Sequence, residues 1–119
     1  MNFTFTKEHN DFAQEVEEFI KAELPPRILA GESAYTDENF DDSMAFRKKL
    51  GKKKWIGIGW PTEYGGLGAS HTMQMLFHDK MVYYNAPLDH QAYQVGPAII
   101  SFGSDILKKR FLQATAEQE

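Results

Sequence analysis

The stretch from Trp55 to Gly68 limits the chain more than any other. It holds Gly57, Gly59, Gly65, Gly66 and Gly68, with Trp55, Trp60, Tyr64 and Pro61 among them. Each glycine costs a helix interior roughly 1 kcal/mol relative to alanine, so this density excludes an ordinary helix. The aromatic rings demand burial, and the glycines permit backbone turns that other residues resist. Pro61 holds Trp60 extended, and Gly65-Gly66 reads as a tight turn. The stretch is therefore expected to be an ordered, irregular hinge between helices. A phosphate-cradling loop fails on spacing, because the third glycine required after Gly57 and Gly59 falls on Thr62.

The sequences on either side are helical in pattern. Thr6 is a plausible cap for a helix from Lys7 to Glu23, with Phe12, Val16, Phe19 and Ile20 on one stripe and an acidic outer face. That acidic face is read as solvated, with a metal or acid/base pair as the alternative. Leu24-Pro25-Pro26 stops the helix, and residues 27–40 read as a polar connector. Asp41 or Asp42 is expected to cap a second helix to about Lys53. Its apolar residues are Met44, Ala45, Phe46 and Leu50, and its end is strongly basic. Acids at the start and bases at the end suit the helix dipole. An anion-docking patch is the alternative reading.

After the hinge, Ser70 is expected to cap a helix over about 71–84, with Met73, Leu76, Phe77, Met81 and Tyr84 at helical spacing. Such a stripe reads as core, or as the lining of an apolar ligand groove, because methionine adapts to irregular shapes. Asn85-Ala86-Pro87 ends it. Pro97 is placed at the start of a short fourth helix, Ala98 to Phe102, which Gly103 ends. Ser104 caps a last helix, Asp105 to about Ala114, with Ile106, Leu107, Phe111 and Leu112 inward and a polar tail beyond. The expected fold is all-α, an orthogonal bundle of about five helices in one domain covering residues 1–119, with long Gly/Pro-rich joints.

Composition excludes several classes of function. With 13 basic and 17 acidic residues, the net charge of −4 offers no footprint for nucleic acid. The absence of cysteine removes disulfides, thiolate metal sites and a thiol nucleophile. No apolar run approaches the ~20 residues of a membrane span, and Met1-Asn2-Phe3-Thr4 opens no signal peptide, so a cytoplasmic chain is the expectation. His71, His78 and His90 lack the spacing of a zinc pair, so no metal site is expected. No nucleophile–base arrangement is visible.

The order of these joints resembles the N-terminal helical domain of the flavin-dependent acyl-CoA dehydrogenases. The resemblance is carried by Phe12, Val16 and Phe19, by Leu24-Pro25, by Trp55-Ile56-Gly57-Ile58-Gly59-Trp60-Pro61-x-Glu63-Tyr64-Gly65-Gly66-x-Gly68, by Gly96-Pro97-Ala98-Ile99-Ile100-x-Phe102-Gly103-Ser104 and by Lys109-Arg110-Phe111-Leu112. It covers the chain from about Phe3 to Leu112. Two positions depart from the family pattern. Lys54 stands where the family usually has a glycine, and Gln113 where it usually has a proline.

The resemblance implies that a β-domain and a second helical domain are absent from these 119 residues. It implies an oxidoreductase in the full-length protein, of the kind that serves fatty acid β-oxidation. A carboxylate removes the α-proton of an acyl-CoA thioester and the β-hydrogen leaves as hydride to FAD. Electrons then pass to an electron-transfer flavoprotein. No catalytic residue and no flavin contact is expected here, so the chain alone should be inactive and should not bind FAD. Its part would be one wall of the acyl cleft, made of Tyr84, Leu88, Tyr93, Val95, Pro97 and Ile99. Asp89, His90, Gln91 and Gln94 make the joint 85–96 polar for a plain fatty-acyl floor, which suggests a functionalised or ring-bearing acyl group. The full-length enzyme is expected to be a homo-oligomer without nucleic acid or membrane partners. The surface that meets the missing domains should be apolar and exposed. The alternative is a stand-alone helical interaction module that pairs with a flavin-carrying chain.

Overall fold

The computed structural model describes residues 5–118; the readings at Met1–Thr4 and Glu119 lie outside the described residues. Six α-helices follow one another: α1 Lys7–Glu23, α2 Pro26–Leu29, α3 Phe40–Lys52, α4 His71–Tyr83, α5 His90–Phe102 and α6 Asp105–Glu117. One 3₁₀ turn, Thr62–Tyr64, lies in the glycine-rich hinge, and no strand occurs among the described residues.

Helix starts follow local chemistry. The hydroxyls of Thr6, Ser70 and Ser104 accept the N–H groups of His9, Met73 and Leu107, each satisfying a donor that the first turn leaves free. The core forms where α1 packs along α4. Phe12, Val16 and Ile20 of α1 and Phe77 and Met81 of α4 are buried. Trp55, the first ring of the hinge, stands edge-on to Phe12 and Phe19, with centroids 5.9 and 5.1 Å away.

Glu17 leaves the solvated face expected of it. It accepts a hydrogen bond from the Tyr84 hydroxyl and pairs with Lys21 and Lys80, each at 3.4 Å. The Tyr84 bond first, then the lysines, hold its carboxyl down at about 2 against a smaller opposing effect of burial. A carboxylate depressed in the folded state contributes stability above its unfolded value, and loses it as pH falls. Stability is therefore expected to decline between pH 4.5 and about 2. Tyr84→Phe removes the largest cause, so urea midpoints across that range should fall less steeply than in the parent chain. Equal slopes would discard this account.

Several expectations are corrected. The connector 27–40 contains α2 and buries Ile28, Ala34 and Asn39; Asn39 donates to the Ser33 carbonyl at 2.9 Å, and the Ser43 hydroxyl to that of Ala34 at 2.6 Å. Asn39, and neither Asp41 nor Asp42, stands at the N-cap of α3, whose buried side is Ser43, Phe46, Leu50 and Gly51, with Ala45 exposed. The fourth helix is not a short one started by Pro97. It begins at His90 and contains Pro97, because the Asp89 carboxylate accepts the N–H groups of both Gln91 and Ala92 and starts the helix two turns earlier.

The last helix likewise does not stop near Ala114. It runs to Glu117, and Gln118 follows in the left-handed conformation, only 7% exposed. Ile106 and Leu107, expected inward, are 71% and 45% exposed. At about 100° per residue they stand roughly 120–140° round the helix from Leu112, which with Ala116 defines the buried stripe. Phe102, at the end of α5, is 91% exposed. The corner between α5 and α6 thus carries apolar side chains clear of the core. At the end of α3, Lys54 adopts φ 62°, the left-handed conformation that glycine takes without strain.

Candidate functional site

The second tryptophan of the hinge builds the site. Trp60 is 6% exposed. A Cβ placed on Gly57 would overlap one side of its indole, and a Cβ on Gly96 of α5 would overlap another. The two glycines are the space that the ring occupies. The backbone on either side is pinned, with the Trp60 N–H donating to the Gly57 carbonyl at 2.9 Å and the Gly68 N–H to the Trp60 carbonyl at 2.8 Å.

Beside the indole lies a cleft of about 310 Å³. Hinge residues Ile56 and Trp60 form one side, Tyr93, Pro97 and Ile100 of α5 another, and His71 and Gln74 the first turn of α4. Burial first, and then the Asp89 charge, push the Tyr93 phenol up to about 12, so at neutral pH it remains a neutral hydrogen-bonding group. The His78 ring stands edge-on to it, centroids 5.4 Å apart. Pro97 has no N–H to give the Tyr93 carbonyl one helical turn before it, which leaves an acceptor without its usual intrahelical donor. The cleft is an apolar slot between a flat indole and one helix face, with a few polar groups at its edge. Such a site binds by shape and exclusion of water. Nothing in it forms a nucleophile–base pair.

Of the six residues named from the sequence, Tyr93 and Pro97 line this cleft together. The other four lie elsewhere. Ile99 is buried in the core and Val95 is exposed on α5. Tyr84 closes α4 and gives its hydroxyl to Glu17. Leu88, half-buried, lies in the joint before α5 and donates its N–H to the Tyr35 hydroxyl at 3.1 Å. His71, Gln74, Ile100 and Ser101 line the cleft without having been singled out. Once α5 is known to start at His90, Tyr93, Pro97, Ile100 and Ser101 fall at i, i+4, i+7 and i+8, the spacing of one helix face.

Asp89, in the joint, is a second centre. Its Oδ1 accepts the N–H groups of Gln91 and Ala92 at 2.9 and 3.2 Å. Its Oδ2 meets the Arg47 guanidinium of α3 at 3.0 Å and the Gln118 amide at 2.7 Å. Arg47 is thus separated from the basic run at the end of α3, where Lys49 and Lys53 pair with Glu23 and Glu15 of α1. Among the described residues no group of three or more His, Asp or Glu side chains is placed to hold a metal, and no helix is long and apolar enough to cross a membrane.

The family model described as "Acyl-CoA dehydrogenase, N-terminal domain" matches residues 6–119. Acyl-CoA dehydrogenase FadE26 of Mycobacterium tuberculosis is 27% identical over 120 residues, which cover 98% of this chain and 30% of that protein. A probable acyl-CoA dehydrogenase of Bacillus subtilis is 30% identical over 118 residues, 97% of this chain and 19% of its own. The chain thus spans less than a third of the length of these relatives. Two solved structures share the fold at 24% identity and cover 98% of this chain. The ChsE4-ChsE5 complex from Mycobacterium tuberculosis does so with a TM-score of 0.84 over 29% of that chain, and the Tcur3481-Tcur3483 steroid ACAD with 0.82 over 30%.

Proposed function

The chain belongs to the acyl-CoA dehydrogenase family, as its N-terminal domain, and from that membership we propose that it supplies one wall of the acyl-binding cleft in a longer, cytoplasmic enzyme. That enzyme carries out the α,β-dehydrogenation of an acyl-CoA thioester, with electron-transfer flavoprotein as its acceptor. The β-domain and the second helical domain provide the catalytic carboxylate and the flavin. The observation that carries the reading is the cleft beside Trp60, which brings Tyr93 and Pro97 together on one helix face. Tyr84, Leu88, Val95 and Ile99 do not line this cleft; in the longer enzyme they would extend the wall beyond it, Ile99 by packing behind it.

FAD belongs to the parts outside this chain. No lysine or arginine lines the cleft, so nothing there neutralises the pyrophosphate of a dinucleotide. At about 310 Å³ the cleft suits part of an acyl group. The residues present do not fit a flavin, and the chain's own contribution is orientation of the acyl group and exclusion of water. A cleft lined by Trp60, Tyr93 and Pro97, with His71, Gln74 and Ser101 alongside, favours a ring-bearing acyl group over a plain fatty chain. The solved steroid ACAD shares the fold.

A second reading has its own support. The solved neighbours are named as pairs, ChsE4-ChsE5 and Tcur3481-Tcur3483, which favours a chain that works against a second, flavin-carrying polypeptide over a simple homo-oligomer. One experiment addresses both readings. The 119-residue chain is titrated with FAD, and the flavin-containing assembly that carries this domain is then mixed with linear and ring-bearing acyl-CoA thioesters while its visible spectrum is followed. The isolated chain should leave the flavin spectrum unchanged. The assembly should bleach, faster with the ring-bearing thioester, and Tyr93→Ala should reduce that preference about tenfold. Stoichiometric FAD binding by the isolated chain, or an assembly indifferent to every acyl-CoA, would overturn the assignment.

A further inference from the structure

The Asp89 carboxylate gathers more donors than any other side chain in the described residues. Two come from the first turn of α5 and the others from α3 and from the end of α6. Arg47, Asp89 and Gln118 are far apart in sequence, and the only polar contact that α3, α5 and α6 share in the described residues is this one carboxylate. Asp89 is 9% exposed and Gln118 is buried too, so the bonds are shielded from competing water. The Arg47 Nε is buried with no partner, and its Nη1 meets only the Met44 sulfur at 3.6 Å. The guanidinium therefore depends on Asp89 for its one ionic contact. On the other side of the joint, Tyr35 holds the Leu88 N–H and lies against His90, centroids 6.3 Å apart.

Tyr93 stands one helical turn after Asp89, and Pro97 one turn after Tyr93. Whatever fixes the first turn of α5 fixes where those two side chains stand against Trp60. We propose that Asp89 is a positioning residue for the acyl cleft, clasped by Arg47 and Gln118 so that α5 presents Tyr93 and Pro97 to Trp60 in one register. The proposal rests on the reading of that cleft as the acyl wall. Gln118 thereby acts on the cleft from the far end of α6 without touching it.

The physical reason for such a device is Pro97. A proline inside a helix loses a backbone bond and crowds the preceding turn, so the α5 segment before it is weakly held by its own hydrogen bonds. An external clasp on its first turn offsets that weakness. A site loosened by even about 1 Å loses much of its discrimination.

The test uses Gln118→Ala, which removes one clasp donor and leaves the α5 cap intact, and Asp89→Asn, which keeps a capping oxygen and loses the charge. In the isolated chain, hydrogen exchange at the amides of Ala92 and Tyr93 should accelerate at least tenfold in both variants, with α1 and α4 unchanged. In the flavin-containing assembly, KM for the ring-bearing acyl-CoA should rise about tenfold with kcat held. A purely structural role would lower the melting temperature and leave KM unmoved. Unchanged exchange in α5 overturns the clasp itself. Faster exchange with an unchanged KM leaves the clasp standing but overturns its link to substrate, whereas the placing of the acyl group beside Trp60 stands or falls separately with Tyr93→Ala.

Discussion

Trp60→Ala is expected to cost about 3–5 kcal/mol of folding stability, the range found when a large buried aromatic is truncated. The indole is 6% exposed and sits in space left by Gly57 and Gly96. Neither glycine has a side chain to move into the vacancy, so the surroundings have little means of collapsing. The vacancy would also open onto the cleft and admit water, which costs the lining its contacts without restoring a packed surface. Against a total stability of roughly 5–15 kcal/mol for a domain, the variant should be largely unfolded at moderate urea. Phe102→Ala makes the control. Its ring is smaller than the indole but wholly apolar and 91% exposed, and the change should stay within about 0.5 kcal/mol. Equilibrium urea unfolding of both variants measures the contrast. A loss below about 1.5 kcal/mol for Trp60→Ala would mean that the hinge does not hold this ring in the core. In the enzyme, the same variant should blunt discrimination between acyl groups, because the flat side of the slot would be gone.

What was legible in the sequence was local. Thr6, Ser70 and Ser104 announce helix starts because a capping hydroxyl acts on a backbone N–H only three residues away, as each does here. The hinge was legible because no regular element tolerates its glycines, and its Gly65 does take the left-handed conformation of a turn, φ 93°. Lys54 shows the same logic in reverse: the position asks for glycine, and the lysine takes the strained conformation anyway. Distant contacts were not legible. Pro97 was read as a helix start because proline suits a first turn, but the capping by Asp89 eight residues earlier decides where α5 begins. Gln118 reads as polar tail, and only the folded chain shows its amide on Asp89. In the cleft, Tyr93 and Pro97 came from a resemblance to a family, whereas His71 and Gln74 come from a different helix, and no periodicity relates them to α5.

The glycines of the hinge separate two requirements that a sequence cannot tell apart, and a pair of substitutions should separate them experimentally. Gly68 has φ 60° and open space around the position of a Cβ. Gly68→Ala meets only the left-handed strain and should cost about 1–2 kcal/mol. Gly66 has no positive φ, yet a Cβ there would run into the backbone carbonyls of Trp60 and Gly57. Those atoms belong to the segment that holds the indole and cannot swing aside like the end of a flexible side chain. Overpacking of this kind costs roughly 1–3 kcal/mol where neighbours can yield and more where they cannot. Gly66→Ala is therefore expected to lose at least about 3 kcal/mol and to displace Trp60 from its place between Gly57 and Gly96. Urea unfolding would read the first effect, and the near-ultraviolet circular dichroism of the tryptophans the second. If Gly68→Ala proved the more damaging of the two, conformational freedom rather than close approach would be what the hinge demands, and the glycine spacing around Trp60 would lose its meaning as a mould for the ring.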